Sequence, residues 1–106
     1  MPTYLVTYHG SGGPPPTPEG QEQAMAAFGG WVASVGDAMI DPGAPLAASR
    51  AVSSDGAGDG PAVGPIAGYS LLRAPDLEGA LKLVEHHPFI SRGGTLQVSE
   101  AVDLGA

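Results

Sequence analysis

Histidines at three positions and aspartates at two are the residues best suited to acid–base or metal chemistry in this chain of 106 residues. They are His86 and His87 in EHHPF, His9 before a glycine-rich stretch, and Asp55 and Asp59 in DGAGDG. Histidine titrates near neutral pH without help from its surroundings, which suits a general acid or base. The three histidines lack the local spacing of a zinc site and the chain has no cysteine, so we expect no metal and no cofactor.

The same residues also have structural interpretations. Neighbouring residues on a helix point about 100° apart, so His86 and His87 cannot easily face one ligand. A histidine in the last turn of a helix can bond the terminal carbonyl groups and complement the helix dipole. Aspartate between glycines is typical of turns. Both interpretations stay open, and His87 is the histidine that we expect to matter more.

The first half of the chain predicts a strand followed by a helix. TYLVTYH at 3–9 is rich in β-branched and aromatic residues and alternates in the manner of a strand. Thr17 and Pro18 form a typical helix start, and DPGAP at 41–45 is expected to end that helix. The glycines at 29–30 weaken the helix and are expected to let another element approach closely. The apolar face recurs at spacings of three and four: Met25, Phe28, Val32, Val35 and Met39.

The second half of the chain repeats this order. Strands are predicted at 46–53 (a weak candidate), at 66–74 and at 93–102, with a glycine- and proline-rich loop at 54–65. Asp76 caps a second helix. That helix must end near His87, because Pro88 disfavours helical geometry in the residue before it.

Strand–helix–strand, twice over, predicts one α+β domain spanning residues 1–106. The expected architecture is the ferredoxin-like βαββαβ fold, a four-stranded antiparallel sheet with two helices on one face and the first and third strands in the middle. In this topology His9, the end of the second helix and the 54–66 loop meet along one rim. We therefore expect all three histidines, with the two aspartates, to gather there.

The open face of the predicted sheet indicates self-association. The first strand has apolar side chains on both faces, with Tyr4, Val6 and Tyr8 on one and Leu5 on the other. A sheet with one face in water alternates more cleanly between apolar and polar residues. We therefore expect a homodimer that packs through the open sheet face.

Composition and charge exclude several classes of partner. Hydrophobic residues make up 42% of the chain, as in a folded domain, and the formal net charge is −7 with four scattered basic residues. No basic patch exists for nucleic acid or an anionic membrane surface. No apolar run approaches the roughly 20 residues of a membrane span, and the first residues enter a strand pattern rather than a leader sequence. We expect a cytoplasmic protein.

Four segments of the chain resemble the YCII-related family, including its DGPF-type branch: TYLVTYHG, DGP at 59–61, GYSLLRAPDLEGALKLVEHHPF and GGTLQVSEAV. The resemblance implies a dimeric α+β barrel of the ferredoxin-like type. Some members carry a suggested His–Asp active site, with an Asp-Pro-Tyr motif at the end of the second helix. Here that tripeptide is His87-Pro88-Phe89, the first helix has no histidine, and Ala62 replaces the aromatic residue of DGPF. The suggested dyad therefore does not carry over.

Two functions remain open at this point. The missing dyad favours a non-catalytic dimeric protein that binds a small molecule or acts as an accessory protein. The alternative is an enzyme that carries out histidine-assisted proton transfer or lyase-type chemistry on a small metabolite in the cleft, with His87 or His9 as general acid or base. The candidate binding residues are Tyr8, Asp59, Phe89 and Trp31, although Trp31 also fits a place in the core.

Overall fold

The computed structural model describes residues 1–10, 17–58 and 66–104, so Asp59 and most of the predicted 54–65 loop lie outside the described residues. The helices are α1 (Pro18–Val35), α2 (Leu77–Val84) and α3 (Pro88–Ser91), with a short 3₁₀ turn at Gly36–Ala38. The strands are β1 (Thr3–His9), β2 (Met39–Pro45), β3 (Val52–Ser53), β4 (Gly56–Ala57), β5 (Ile66–Arg73) and β6 (Thr95–Ala101).

Four of the strands form one antiparallel sheet in the order β2-β5-β1-β6. The prediction of an α+β fold with a four-stranded antiparallel sheet is confirmed. Strands β1 and β5 occupy its centre, which is consistent with the ferredoxin-like arrangement. Helices α1 and α2 pack on the same face, because Trp31 and Val84 share one core cluster with Val6 of β1.

Helix α1 begins where the sequence predicts and ends earlier. The Thr17 hydroxyl accepts a hydrogen bond from the Gly20 backbone N–H at 3.0 Å, and Pro18 occupies the first turn. The helix ends at Val35, not near Met39, because Gly36 takes a positive φ of 62°.

The second strand of the sheet corrects the prediction. The segment 41–45, expected to end the first helix, belongs to β2, whereas 46–53 contributes only the two residues of β3, which pair with β4 in a separate hairpin. The pairing of β2 with β5 is irregular between Asp41 and Ala44. There the Gly43 N–H donates to the Asp41 carboxylate at 2.8 Å, and Gly43 adopts a φ of 80°. The residues that resemble a turn form an irregularity within the strand instead.

The predicted apolar face of α1 is confirmed except at its first residue. Val35 is buried, and Phe28 and Val32 pack against the core, whereas Met25 is 76% exposed. The expectation that Gly29 and Gly30 let another element approach closely is wrong, because a side chain added at either would meet no atom of the described residues within 4 Å.

Candidate functional site

The EHHPF segment joins two helices. After α2 ends at Val84, the His87 backbone N–H donates to the Val84 carbonyl at 3.0 Å. The His87 side chain then caps the next helix, since its Nδ1 accepts the Phe89 N–H at 2.9 Å. Pro88 at the first position of α3 suits this role, because it leaves no N–H to satisfy. The structural interpretation in which His87 bonds the last carbonyls of α2 through its side chain is wrong, because Nδ1 accepts a hydrogen bond from Phe89 and Nε2 lies against the Tyr8 hydroxyl.

A chain of hydrogen bonds leads from His87 across the sheet. Its Nε2 lies 3.0 Å from the Tyr8 hydroxyl, which lies 2.7 Å from Ser70 Oγ. The Ser70 hydroxyl donates to the Pro42 carbonyl at 2.8 Å. The donor in each of these hydrogen bonds follows from the groups at the two ends, the Phe89 N–H and the Pro42 carbonyl.

When His87 is neutral, the donor and the acceptor of each hydrogen bond in this chain can be assigned. Because Nδ1 of His87 accepts an N–H, it carries no proton, so a neutral ring holds its proton on Nε2 and donates it to Tyr8. Because the Ser70 hydroxyl donates its hydrogen bond to the Pro42 carbonyl, its oxygen accepts a hydrogen bond from the Tyr8 hydroxyl. The order is therefore His87 Nε2–H to Tyr8, Tyr8 O–H to Ser70, and Ser70 O–H to Pro42.

Aromatic rings enclose His87, which is 2% exposed. Its ring centroid lies 4.2 Å from that of Trp31, 4.9 Å from that of Tyr8 and 5.8 Å from that of Phe28. Burial, together with the positive charge of Arg92, lowers the pKa of His87 from 6.5 to about 4. Burial raises the pKa of Tyr8, although its hydrogen bond with Ser70 opposes that shift. Both groups are neutral at pH 7.

A cleft of about 600 Å³ lies beside this chain, between α1 and the paired edge of β2 and β5. Its walls include Met25 and Phe28 of α1, and Tyr8 and Phe89 reach it from the core. Neither His87 nor Trp31 lines it. Of the predicted binding residues, the structure brings Tyr8 and Phe89 to the cleft.

The remaining predicted site residues lie apart from the cleft. His9 follows Tyr8 in β1, so its side chain is on the opposite face of the sheet, where Nε2 is 2.7 Å from the Thr7 hydroxyl. The side chain of His86 is 91% exposed, 3.5 Å from Glu85. Asp55 is exposed in the turn between β3 and β4. The predicted gathering of three histidines along one rim is wrong, since strand alternation separates His9 from His87.

Trp31 lies in the core, as one of its two interpretations expected. It is 6% exposed, and its indole N–H donates to the Leu83 carbonyl at 2.8 Å. That bond joins α1 to α2 and fixes the ring that contacts His87.

Sequence reasoning missed Ser70, Pro42 and Arg92. One signal was available for Ser70: in β5 it alternates with Gly68 and Leu72, which places a hydroxyl on the face that packs against the helices. No local pattern indicates that a carbonyl of residue 42 receives its proton.

Within the described ranges, His, Asp and Glu residues form no group of three able to hold a metal ion. None of the helices in these ranges combines the length and the hydropathy that a bilayer crossing requires. No family model and no curated protein matches the chain, so its resemblance to the YCII-related family stays a prediction.

Proposed function

We propose that this protein is a non-catalytic binding protein for a small, largely apolar molecule that occupies the cleft between α1 and the β2–β5 edge. The observation that carries the proposal is the closed hydrogen-bond chain beside the cleft. The Nδ1 lone pair of His87 is held by the Phe89 N–H, and its Nε2 proton is held by Tyr8. Neither is offered to a molecule in the cleft.

The size and lining of the cleft support the same function. Small-molecule sites commonly have volumes of about 300–1,000 Å³ and mostly apolar walls with a few polar groups. The cleft has about 600 Å³, with Met25, Phe28, Ala67 and Phe89 among its apolar residues. Burial of apolar ligand surface against them supplies about 25 cal/mol per Å² before the costs of association are subtracted.

A neutral fluorescent dye tests the proposal. N-phenyl-1-naphthylamine brightens in apolar surroundings, and we expect saturable binding by the wild-type protein. Ala24 lines the cleft, whereas Ala26 on the same helix is exposed and does not line it. Ala24→Phe is expected to weaken dye binding at least about tenfold by filling the cleft, because an excluded ligand loses most of its buried area.

Ala26→Phe is the matched control, since it adds the same ring at an exposed position of the same helix. It is expected to retain wild-type dye binding, and Trp31 fluorescence reports whether both variants fold. The proposal is wrong if the wild-type protein does not bind the dye, or if the two variants bind it equally.

The alternative, an enzyme that transfers protons, is favoured by one contact: Tyr8 belongs to the hydrogen-bond chain and also lines the cleft. For Tyr8 to donate a proton and recover one from His87, the imidazole must first carry two protons, because a neutral ring would be left as an anion. The lowered pKa of His87 makes the doubly protonated form scarce at pH 7.

The two functions therefore differ in their pH dependence. Proton transfer predicts turnover of a bound molecule that rises as the pH falls toward 4 and is lost in Tyr8→Phe. Binding alone predicts that mass spectrometry recovers the bound molecule unchanged at pH 4.5 and at pH 7.5.

We further propose that the protein is a homodimer in which the open faces of two sheets pack together, as in a dimeric α+β barrel. Leu5, Tyr69 and Leu71 support this arrangement, since these large side chains are on the face away from the helices and are only half-buried in one chain. On the helix-covered face of the same strands, Val6, Ser70 and Leu72 are fully buried.

A further inference from the structure

The cleft of the proposed binding function has one charged residue among those that line it in the described part of the chain, and that residue is Arg92. The chain as a whole has 11 acidic and 4 basic side chains. No carboxylate lines the cleft in the described residues. The cleft therefore presents one positive charge in a largely apolar lining that also includes Gln21, although the chain as a whole is acidic.

The backbone conformation before and after Arg92 holds the residue in position. Its backbone N–H donates to the Phe89 carbonyl at 3.3 Å at the end of α3, and Gly93 follows with a φ of 89°. The guanidinium carbon lies 5.7 Å from the centroid of the Phe89 ring. Because Phe89 is 3% exposed and lines the cleft, the charge lies beside a buried aromatic wall.

The guanidinium of Arg92 has donors to offer. Among the described residues, no acidic side chain forms an ion pair with it. Arginine has five N–H donors in a planar fork that matches a carboxylate with two parallel hydrogen bonds. Its charge also acts toward the interior, since it contributes to the lowered pKa of His87.

We propose that the cleft selects small apolar carboxylates, with Arg92 binding the carboxylate and the cleft holding the apolar body. The inference rests on the proposed binding function and names its ligand class. Arg92 contributes selectivity for the anion, whereas apolar burial contributes the affinity that neutral molecules share.

The test uses a matched pair of ligands with the same ring system. 2-Naphthoate and 2-naphthamide each compete with N-phenyl-1-naphthylamine for the wild-type protein at pH 7.5. We expect naphthoate to compete at about fivefold lower concentration than naphthamide, as one partly exposed ion pair provides. In Arg92→Gln this preference is expected to fall to about one, with naphthamide competing as before.

Arg73→Gln is the control, because it removes the same charge from an exposed residue that does not line the cleft. It is expected to keep the preference for naphthoate. Equal competition by the two ligands in the wild-type protein, or a preference that persists in Arg92→Gln, overturns the assignment of Arg92. Failure of both the dye and naphthamide to bind the wild-type protein overturns the binding function itself, so the two failures are distinguishable.

Discussion

The two faces of β1 differ in environment although alternate residues of one seven-residue strand build both. Toward the helices, Tyr4 and Val6 are fully buried and Tyr8 is 9% exposed. On the other face, Leu5, Thr7 and His9 are half-buried. The helix-covered face leads into the hydrogen-bond chain and the cleft, whereas none of the helices that the structure describes packs on the open face.

This difference separates the two histidines that the sequence places at one rim. His87 is enclosed by aromatic rings and both of its nitrogens have partners within the protein. The side chain of His9 is half-buried, and its Nε2 lies 2.7 Å from the hydroxyl of Thr7, two residues earlier in the same strand. The environment of each histidine depends on which face of the sheet its side chain occupies. The strand order alone does not show this, because it places both histidines at the same end of the sheet.

Adjacent leucines of β5 provide the largest expected contrast. Leu72 is fully buried against the helices, and Leu71 is half-buried on the open face. Leu72→Ala is expected to lower the free energy of unfolding by about 2–5 kcal/mol, because it leaves a cavity in the core. Leu71→Ala is expected to cost about 1 kcal/mol within one chain. Urea denaturation followed by Trp31 fluorescence measures both.

The Leu71→Ala variant also tests the proposed dimer. If two open faces pack together, Leu71→Ala weakens association in sedimentation velocity, and the unfolding midpoint of the wild-type protein rises with protein concentration. A wild-type protein that sediments as a monomer at all concentrations contradicts the dimer.

The second contrast between the two faces is the pH dependence of the free energy of unfolding, to which His87 on the helix-covered face contributes. The native pKa of His87 is about 4 against an ordinary value of 6.5, so the unfolded chain binds the proton more readily. Its contribution to the free energy of unfolding is complete above pH 6.5 and is lost as the pH falls to about 4. The full difference corresponds to about 3 kcal/mol.

His87→Asn removes this titration while keeping an oxygen that can cap α3. We expect the variant to be less stable than wild type at pH 7.5, because the Tyr8 bond is lost, but to have a shallower stability decline between pH 6.5 and pH 4.5. His86→Gln is the control, since His86 is exposed and its removal should leave the slope unchanged. Equal slopes in wild type and His87→Asn would refute the enclosed neutral histidine.

Local signals in the sequence predict the helix starts and the central strands. The caps at Thr17 and Asp76 accept the hydrogen bonds expected of them, at 3.0 Å from Gly20 N and 2.8 Å from Gly79 N. These features depend on a few consecutive residues. The edge strand β2 does not, because its Asp-Pro-Gly sequence has turn chemistry and only pairing with β5 makes it a strand.

The candidate site was predictable only in part. Tyr8 and Phe89 were expected to bind a ligand, and they do line the cleft. The hydrogen-bond chain joins residues far apart in the sequence, with Tyr8 separated from Ser70 by 62 positions and from His87 by 79. No local spacing encodes such a chain. The sequence also does not predict the short helix α3, because a proline that ends one helix can begin the next, as Pro88 does here.

The smallest expected effect comes from the open face. His9→Gln is expected to change the free energy of unfolding of the chain by no more than about 0.5 kcal/mol, because a glutamine amide can reach the Thr7 hydroxyl and no buried group loses a partner. The decline in stability between pH 6.5 and pH 4.5 should match that of wild type, because the substitution leaves the buried His87 and its partners in place. Urea denaturation at the two pH values provides both quantities at one protein concentration. A pH slope in His9→Gln as shallow as in His87→Asn would show that the open face, and not the enclosed one, holds the histidine that titrates with folding.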